Sequence, residues 1–260
     1  MNTYHHLQVE IRANTALITI ANPPANTWTA ESLKDLRRLI SDLNANPAIY
    51  SLVLTGAGEK FFSAGAELRL FADGDKALAR QMASRFGAAF EALSQFRGVS
   101  IAAINGYAMG GGLECALACD LRIAEVQAQM ALPEASVGLL PCAGGTQNLT
   151  RLVGEGWAKR LILCGERINA DTALRIGLVE EVVASGTALE RALALAQQVS
   201  KQSPASVTAC KQLIQGTRQQ SLASMLPAER EAFIDLFDGS DQQEGVTAFL
   251  QKRSPIWSQA

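Results

Sequence analysis

The apolar pattern of this 260-residue chain changes character once, near residue 188. Before that point, strand-like runs alternate with helical ones. The stretches 7–12 (LQVEIR), 16–21 (ALITIA), 51–56 (SLVLTG), 99–105 (VSIAAIN), 121–125 (LRIAE) and 129–133 (QMALP) read as strands. Over 29–44, Thr29 stands where a helix would be capped, and Leu33, Leu36, Ile40 and Leu43 recur on one helical face. A second helical pattern covers 76–96. Beyond Ala188 the strands stop, and 188–202, 206–218 and 227–238 follow as three helical stretches. The pattern alone predicts an α/β unit over 1–190 built on a buried, open parallel sheet, then an all-helical region over 191–260.

Composition narrows the partners. With 23 basic and 25 acidic residues and no Lys/Arg cluster, the chain carries no field that would gather nucleic acid or an anionic membrane surface. The five cysteines form no CxxC pair and are odd in number, which predicts a reduced, intracellular chain. The start MNTYHHLQVE has neither a basic nor an apolar signal region, and no run reaches membrane-spanning length, so a cytoplasmic location is expected.

Several chemistries drop out. The histidines are His5 and His6, at one end of the chain, which argues against a histidine triad or a histidine-rich metal site in the core. There is no GxSxG and no GxxxxGK[ST], and GYAMGGG lacks the GxGxxG spacing of a dinucleotide fold. The remaining candidates for acid–base work are carboxylates.

One carboxylate is conspicuous. In GYAMGGGLECALACD (106–120), Gly110, Gly111 and Gly112 fall between a buried strand and a small-residue helix that carries Glu114. The first amides of a helix lack internal partners and sit at the positive end of its dipole, and glycine lets a ligand approach them. Such an amide can stabilise an oxyanion. FFSAGAEL (61–68) offers a second free amide after a strand, and ALPEASVGLLPCAGGTQ (131–147) holds Glu134 behind Pro133.

Together these segments resemble the crotonase superfamily, the enoyl-CoA hydratase/isomerase family. The residues that carry the resemblance are NPPANTW (22–28), FFSAGAEL (61–68), NGYAMGGGLECALACDLRIA (105–124) and ALPEASVGLLPCAGGTQNLTRLVG (131–154). INADTALRIGLVEEVV (168–183) and EGVTAFLQKRSP (244–255) extend it over nearly the whole chain. The resemblance implies a spiral of ββα turns over 1–190 in place of an open sheet. It also implies that 191–260 is a helical region for assembly into homotrimers, which commonly stack as hexamers.

For the site, the resemblance implies that the amides of Ala66 and Gly111 form an oxyanion hole for an acyl-thioester carbonyl. It assigns Glu114 to the water that attacks C3 and Glu134 to proton delivery at C2. Ala64, Glu67, Leu68 and Arg69 match a segment that contacts coenzyme A, and Asn26, Gly110, Pro133 and Gly138 complete the substrate-contacting set. Coenzyme A enters as part of the substrate; no metal or other cofactor is implied. Retention of both glutamates points to hydration of a 2-enoyl-CoA in fatty-acid or related acyl-CoA degradation. The rival readings are a 3,2-enoyl-CoA isomerase, a decarboxylase or a thioester hydrolase of the same fold, and a non-catalytic RNA-binding member. Trp28, where smaller residues are usual, is expected to reshape the acyl pocket or the CoA channel. Cys142, and the Cys115–Cys119 pair, are expected to serve packing.

Overall fold

A computed structural model describes residues 4–258. β1 (Leu7–Arg12) and β2 (Thr15–Ile20) form an antiparallel pair, followed by α1 (Ala30–Ala45), β3 (Ser51–Gly56) and β4 (Phe61–Ser63). Then come α2 (Lys76–Ser94), β5 (Val99–Ile104), β6 (Tyr107–Met109) and α3 (Gly111–Ala118). β7 (Leu121–Glu125), β8 (Gln129–Ala131), α4 (Gly145–Leu163), β9 (Ile168–Asn169), α5 (Ala170–Arg175) and β10 (Glu181–Val183) continue the pattern. α6 (Ala188–Val199), α7 (Pro204–Gly216), α8 (Leu222–Asp235) and α9 (Ser240–Leu250) close it.

The strands make two sheets, not the single open one that periodicity suggested. Six strands run in the order β1-β2-β3-β5-β7-β10, and four in the order β4-β6-β8-β9. In each of the turns β3–β4–α2, β5–β6–α3 and β7–β8–α4, the first strand joins the large sheet and the second the small one, and a helix follows. Like members pair in parallel with like, which is the ββα spiral. Strands of three residues are too short to show a period of two, so β4 and β6 leave no pattern in the sequence.

Long elements form where local chemistry dictates them. Thr29 caps α1: its hydroxyl accepts from the Ser32 amide at 3.1 Å, and the Ser32 hydroxyl accepts from the Thr29 amide at 2.9 Å. Such reciprocal capping is worth about 0.5–2 kcal/mol. The stripe Leu33, Leu36, Ile40, Leu43 is buried as its spacing predicts. β3 is buried along its whole length, as a central parallel strand must be, whereas β1 at the edge is mostly exposed.

The main core lies between the sheets and α1, α2 and α3. A second apolar cluster covers the other face of the large sheet, where Ala188, Ala192 and Ala196 of α6 pack on Leu17, Val53, Ile101, Ala103 and Ile123. α7 is tied to the core by Lys211, whose Nζ donates to the Phe96 and Gly98 carbonyls and to Asp120 Oδ2 at 2.6, 2.8 and 2.7 Å. All five cysteines are free; Cys115 and Cys119 fill the core as expected, but Cys142 is exposed. No helix among the described residues is long and apolar enough to cross a membrane.

Candidate active site

The turn into α3 brings the small sheet's parallel strands up against a helix start. Gly110 takes φ 53°, ψ −127°, a conformation that side chains resist, and this reverses the chain from β6 into α3. Gly112 cannot be replaced for a different reason: a Cβ there would meet the Ser63 carbonyl oxygen at 2.1 Å. The loop after β4 is therefore pressed directly against the helix start.

Within that contact lie the two amides. A Cβ on Gly65 would come within 2.9 Å of the Gly111 nitrogen, so the segment carrying Ala66 runs alongside it. Trp28 pairs with Ala66 as an isolated parallel bridge, its amide donating to the Gly65 carbonyl at 2.8 Å. Among the described residues, neither the Ala66 nor the Gly111 amide has a hydrogen-bond acceptor. Two unengaged donors, one at a helix N-terminus, converge on one locus.

Glu114, one turn along α3, is only 2 % exposed. Its Oε1 accepts from the Ala143 and Gly145 amides at 2.8 and 2.9 Å, so it caps the start of α4. Burial raises its pKa above the usual carboxylate value, while the amides of 142–145 pull the other way by holding the charged form. Glu134 stands at the head of a short 3-10 turn, Glu134–Val137, with its carboxyl next to Gly110. Its Oε2 is buried with no partner among the described residues. Desolvation, reinforced by the charge on Glu114, pushes its pKa up to about 7. Burial thus raises both carboxyls, but their partners differ: Glu114 Oε1 is held by two backbone amides, whereas Glu134 Oε2 has none.

The other residues of the set are distributed around this centre. Ala64, Ala66 and Glu67 line the loop between β4 and a 3-10 turn (Leu68–Phe71), on which Leu68 and Arg69 are exposed. Pro133 precedes Glu134, and Gly138 ends its turn in the left-handed conformation. Asn26 is buried and internally engaged; its Nδ2 donates to the Ala57 and Phe61 carbonyls, each at 2.9 Å. The structure gives it a scaffolding position beneath the β4 loop. Trp28 does not line a channel: it is fully buried against Phe90. Although Cys142 is exposed, desolvation by the surrounding protein and the charges of Glu114 and Glu134 push its thiol up to about 11.

Sequence reasoning missed the amides of Ala143 and Gly145. The signal was present in PCAGGTQ, where paired glycines precede a helix, but α4 was not anticipated. A cavity of about 560 Å³ lined by Trp157, Arg160, Arg167 and Arg175 lies elsewhere and contains neither glutamate. The described residues contain no group of three His, Cys, Asp or Glu able to hold a metal.

A two-carboxylate, two-amide site at the strand–helix junction of a ββα spiral defines a crotonase-fold protein. Residues 10–260 match the family model for enoyl-CoA hydratase/isomerase, and the chain belongs to that family. It is 37% identical over 246 residues to the short-chain-enoyl-CoA hydratase of Clostridium acetobutylicum, covering 94% of each chain. It superposes on the structure of DspI from Pseudomonas aeruginosa with TM-score 0.97 and 67% identity, covering 99% of this chain and 98% of that one. The enoyl-CoA hydratase of Bacillus anthracis gives TM-score 0.95 at 35% identity, with 98% of this chain and 100% of that one covered.

Proposed function

We propose that this chain is an enoyl-CoA hydratase, adding water reversibly to a trans-2-enoyl-CoA thioester to give the 3-hydroxyacyl-CoA. The observation that carries the reading is the unequal hydrogen bonding of two buried carboxyls at one site. Glu114 accepts from the amides of 143 and 145, which favour its charged form against the pull of burial, while Glu134 has an unpartnered oxygen and a pKa of about 7. A hydratase needs such a base–acid pair across one double bond.

The chemistry follows from the geometry. The thioester oxygen binds between the Ala66 and Gly111 N–H groups, and C3 becomes electrophilic. Glu114 takes a proton from water as its oxygen bonds to C3. The π electrons move onto the thioester oxygen as an enolate, which the two amides stabilise; one such donor is typically worth about 3–4 kcal/mol. The enolate collapses as C2 takes the proton of Glu134. Every step moves protons or polarises a carbonyl, so no further cofactor enters, and coenzyme A is carried in with the substrate.

Ala64, Glu67, Leu68 and Arg69 are assigned to the coenzyme A portion, their loop leading directly into the Ala66 amide. Residues 1–190 form the spiral core that houses the site, and 191–260 the region that assembles homotrimers or stacked hexamers. The cytoplasm is the compartment assigned, in acyl-CoA degradation. The deciding experiment is turnover of crotonyl-CoA and longer enoyl-CoA esters with the product identified. Formation of a 3-hydroxyacyl-CoA supports the reading. Migration of the double bond to or from C3 without hydration would replace it with the isomerase reading.

A further inference from the structure

The segments that carry the two amides of the oxyanion hole are linked by a row of buried aromatic rings. Trp28 and Phe90 meet edge to face with centroids 5.6 Å apart and planes at 71°; Phe90 and Phe86 repeat the geometry at 5.7 Å and 79°. All three are essentially inaccessible, at 0, 2 and 3 % exposure. One end of the row is fixed to the Ala66 segment, because the Trp28 backbone pairs with Ala66 and donates to Gly65. The other end bears on the second donor: a Cβ at Gly111 would lie 2.9 Å from Phe86 Cε1.

We propose that the row Trp28–Phe90–Phe86 sets the separation of the Ala66 and Gly111 N–H groups and so tunes polarisation of the thioester carbonyl. The proposal rests on the oxyanion-hole reading given above. Its physical basis is stiffness. Edge-to-face rings hold a preferred geometry, and a close-packed interior passes a displacement from one ring to the next. Donors act on a developing oxyanion only within a few tenths of an ångström, so a small slackening of the row costs turnover, not binding. Phe86 and Phe90, one helical turn apart on α2, make that helix the common backing of both donors. The Trp28 indole Nε1 finds no acceptor among the described residues, so a ring that keeps the edge contact without the N–H can replace it. These are positioning residues.

The test compares Phe90→Leu, Trp28→Leu and Trp28→Phe. Two readouts are taken on the full-length protein: crotonyl-CoA kinetics, and the absorption of saturating bound cinnamoyl-CoA, whose conjugated chromophore moves to the red as its carbonyl is polarised. The Leu variants should lose kcat by about tenfold with KM little changed, and the red shift should shrink. Trp28→Phe should retain both. Should Phe90→Leu fail to fold, Phe86→Met at the end of the row takes the same measurements. A full red shift in the folded Leu variants, with activity lost only in proportion to unfolded protein, overturns the proposal, as does a rise in KM alone. An unshifted spectrum in the unmodified protein overturns the oxyanion-hole reading itself, and this proposal with it.

Discussion

Glu114 Oε1 accepts the Gly145 amide at 2.9 Å, so a carboxylate of α3 caps the first turn of α4. Proton chemistry and architecture therefore meet in one side chain. Glu114→Gln keeps a carbonyl oxygen for the Ala143 and Gly145 amides and should fold. It cannot take a proton from water, and hydration should fall by roughly 10²–10⁴. Steady-state kinetics alongside circular-dichroism melting separates the two effects; normal turnover in a folded variant would remove Glu114 from the mechanism.

Glu134→Gln should lose hydration on a similar scale, about 10² or more, yet gain stability at alkaline pH. In the folded chain this carboxyl has a pKa of about 7, raised from 4.5. Between those values the unfolded chain has released the proton that the folded chain keeps, so stability falls as pH rises through the window. With allowance for partial exposure, the relief is on the order of 1 kcal/mol, or roughly 2–4 °C in Tm at pH 8. The gap should close as pH drops toward 5. A variant that melts below the unmodified protein at pH 8 would contradict this electrostatic account.

The pair must hold one proton for catalysis in either direction: on Glu134 for hydration, on Glu114 for dehydration. Both directions should therefore share one bell-shaped profile of kcat/KM. The alkaline limb, loss of that last proton, should begin near the value of about 7 set by Glu134. Profiles that diverge between the two directions would show that a different group titrates.

Gly111→Pro deletes one oxyanion donor at the first position of a helix, where the backbone accepts proline but its ring carbons would press on Phe86, 2.9 Å from a Cβ there. Turnover of every acyl-CoA should drop by about 10²–10³. Gly112→Ala is the contrasting substitution: its methyl would collide with the Ser63 carbonyl at 2.1 Å, so it should fail by destabilising the site's frame. Melting curves should show both variants destabilised, the second more, because its clash is with fixed backbone and that of the first with the Phe86 ring.

Ile214, Leu222, Phe233, Ile234, Phe237, Phe249 and Leu250, all on the helices after α6, are each more than half exposed in the single chain. Apolar surface of this extent is unusual on a monomer. Light scattering should return three or six times 27.7 kDa. A stable, active monomer at micromolar concentration would disprove it.

The elements that periodicity announced are those long enough to have a period. β1, β3 and β7 fall where the sequence places them, and α1 begins after Thr29 as its capping chemistry dictates. Glu114 beside a glycine-led helix start, and the family resemblance carried by 61–68 and 105–154, were legible as well. Three-residue strands such as β4 and β6 were not, because pairing across the spiral, and not their own residues, makes them strands. The unequal surroundings of Glu114 and Glu134 were equally hidden. They depend on which backbone amides from residues 143 and 145 reach one carboxyl and leave the other dry. Trp28 shows the same division: its identity is written in the chain, but its place behind the oxyanion donors is fixed only by packing on Phe90. Local sequence sets propensity and motif, while solvation, ring contacts and hydrogen-bond partners are properties of what lies nearby in space.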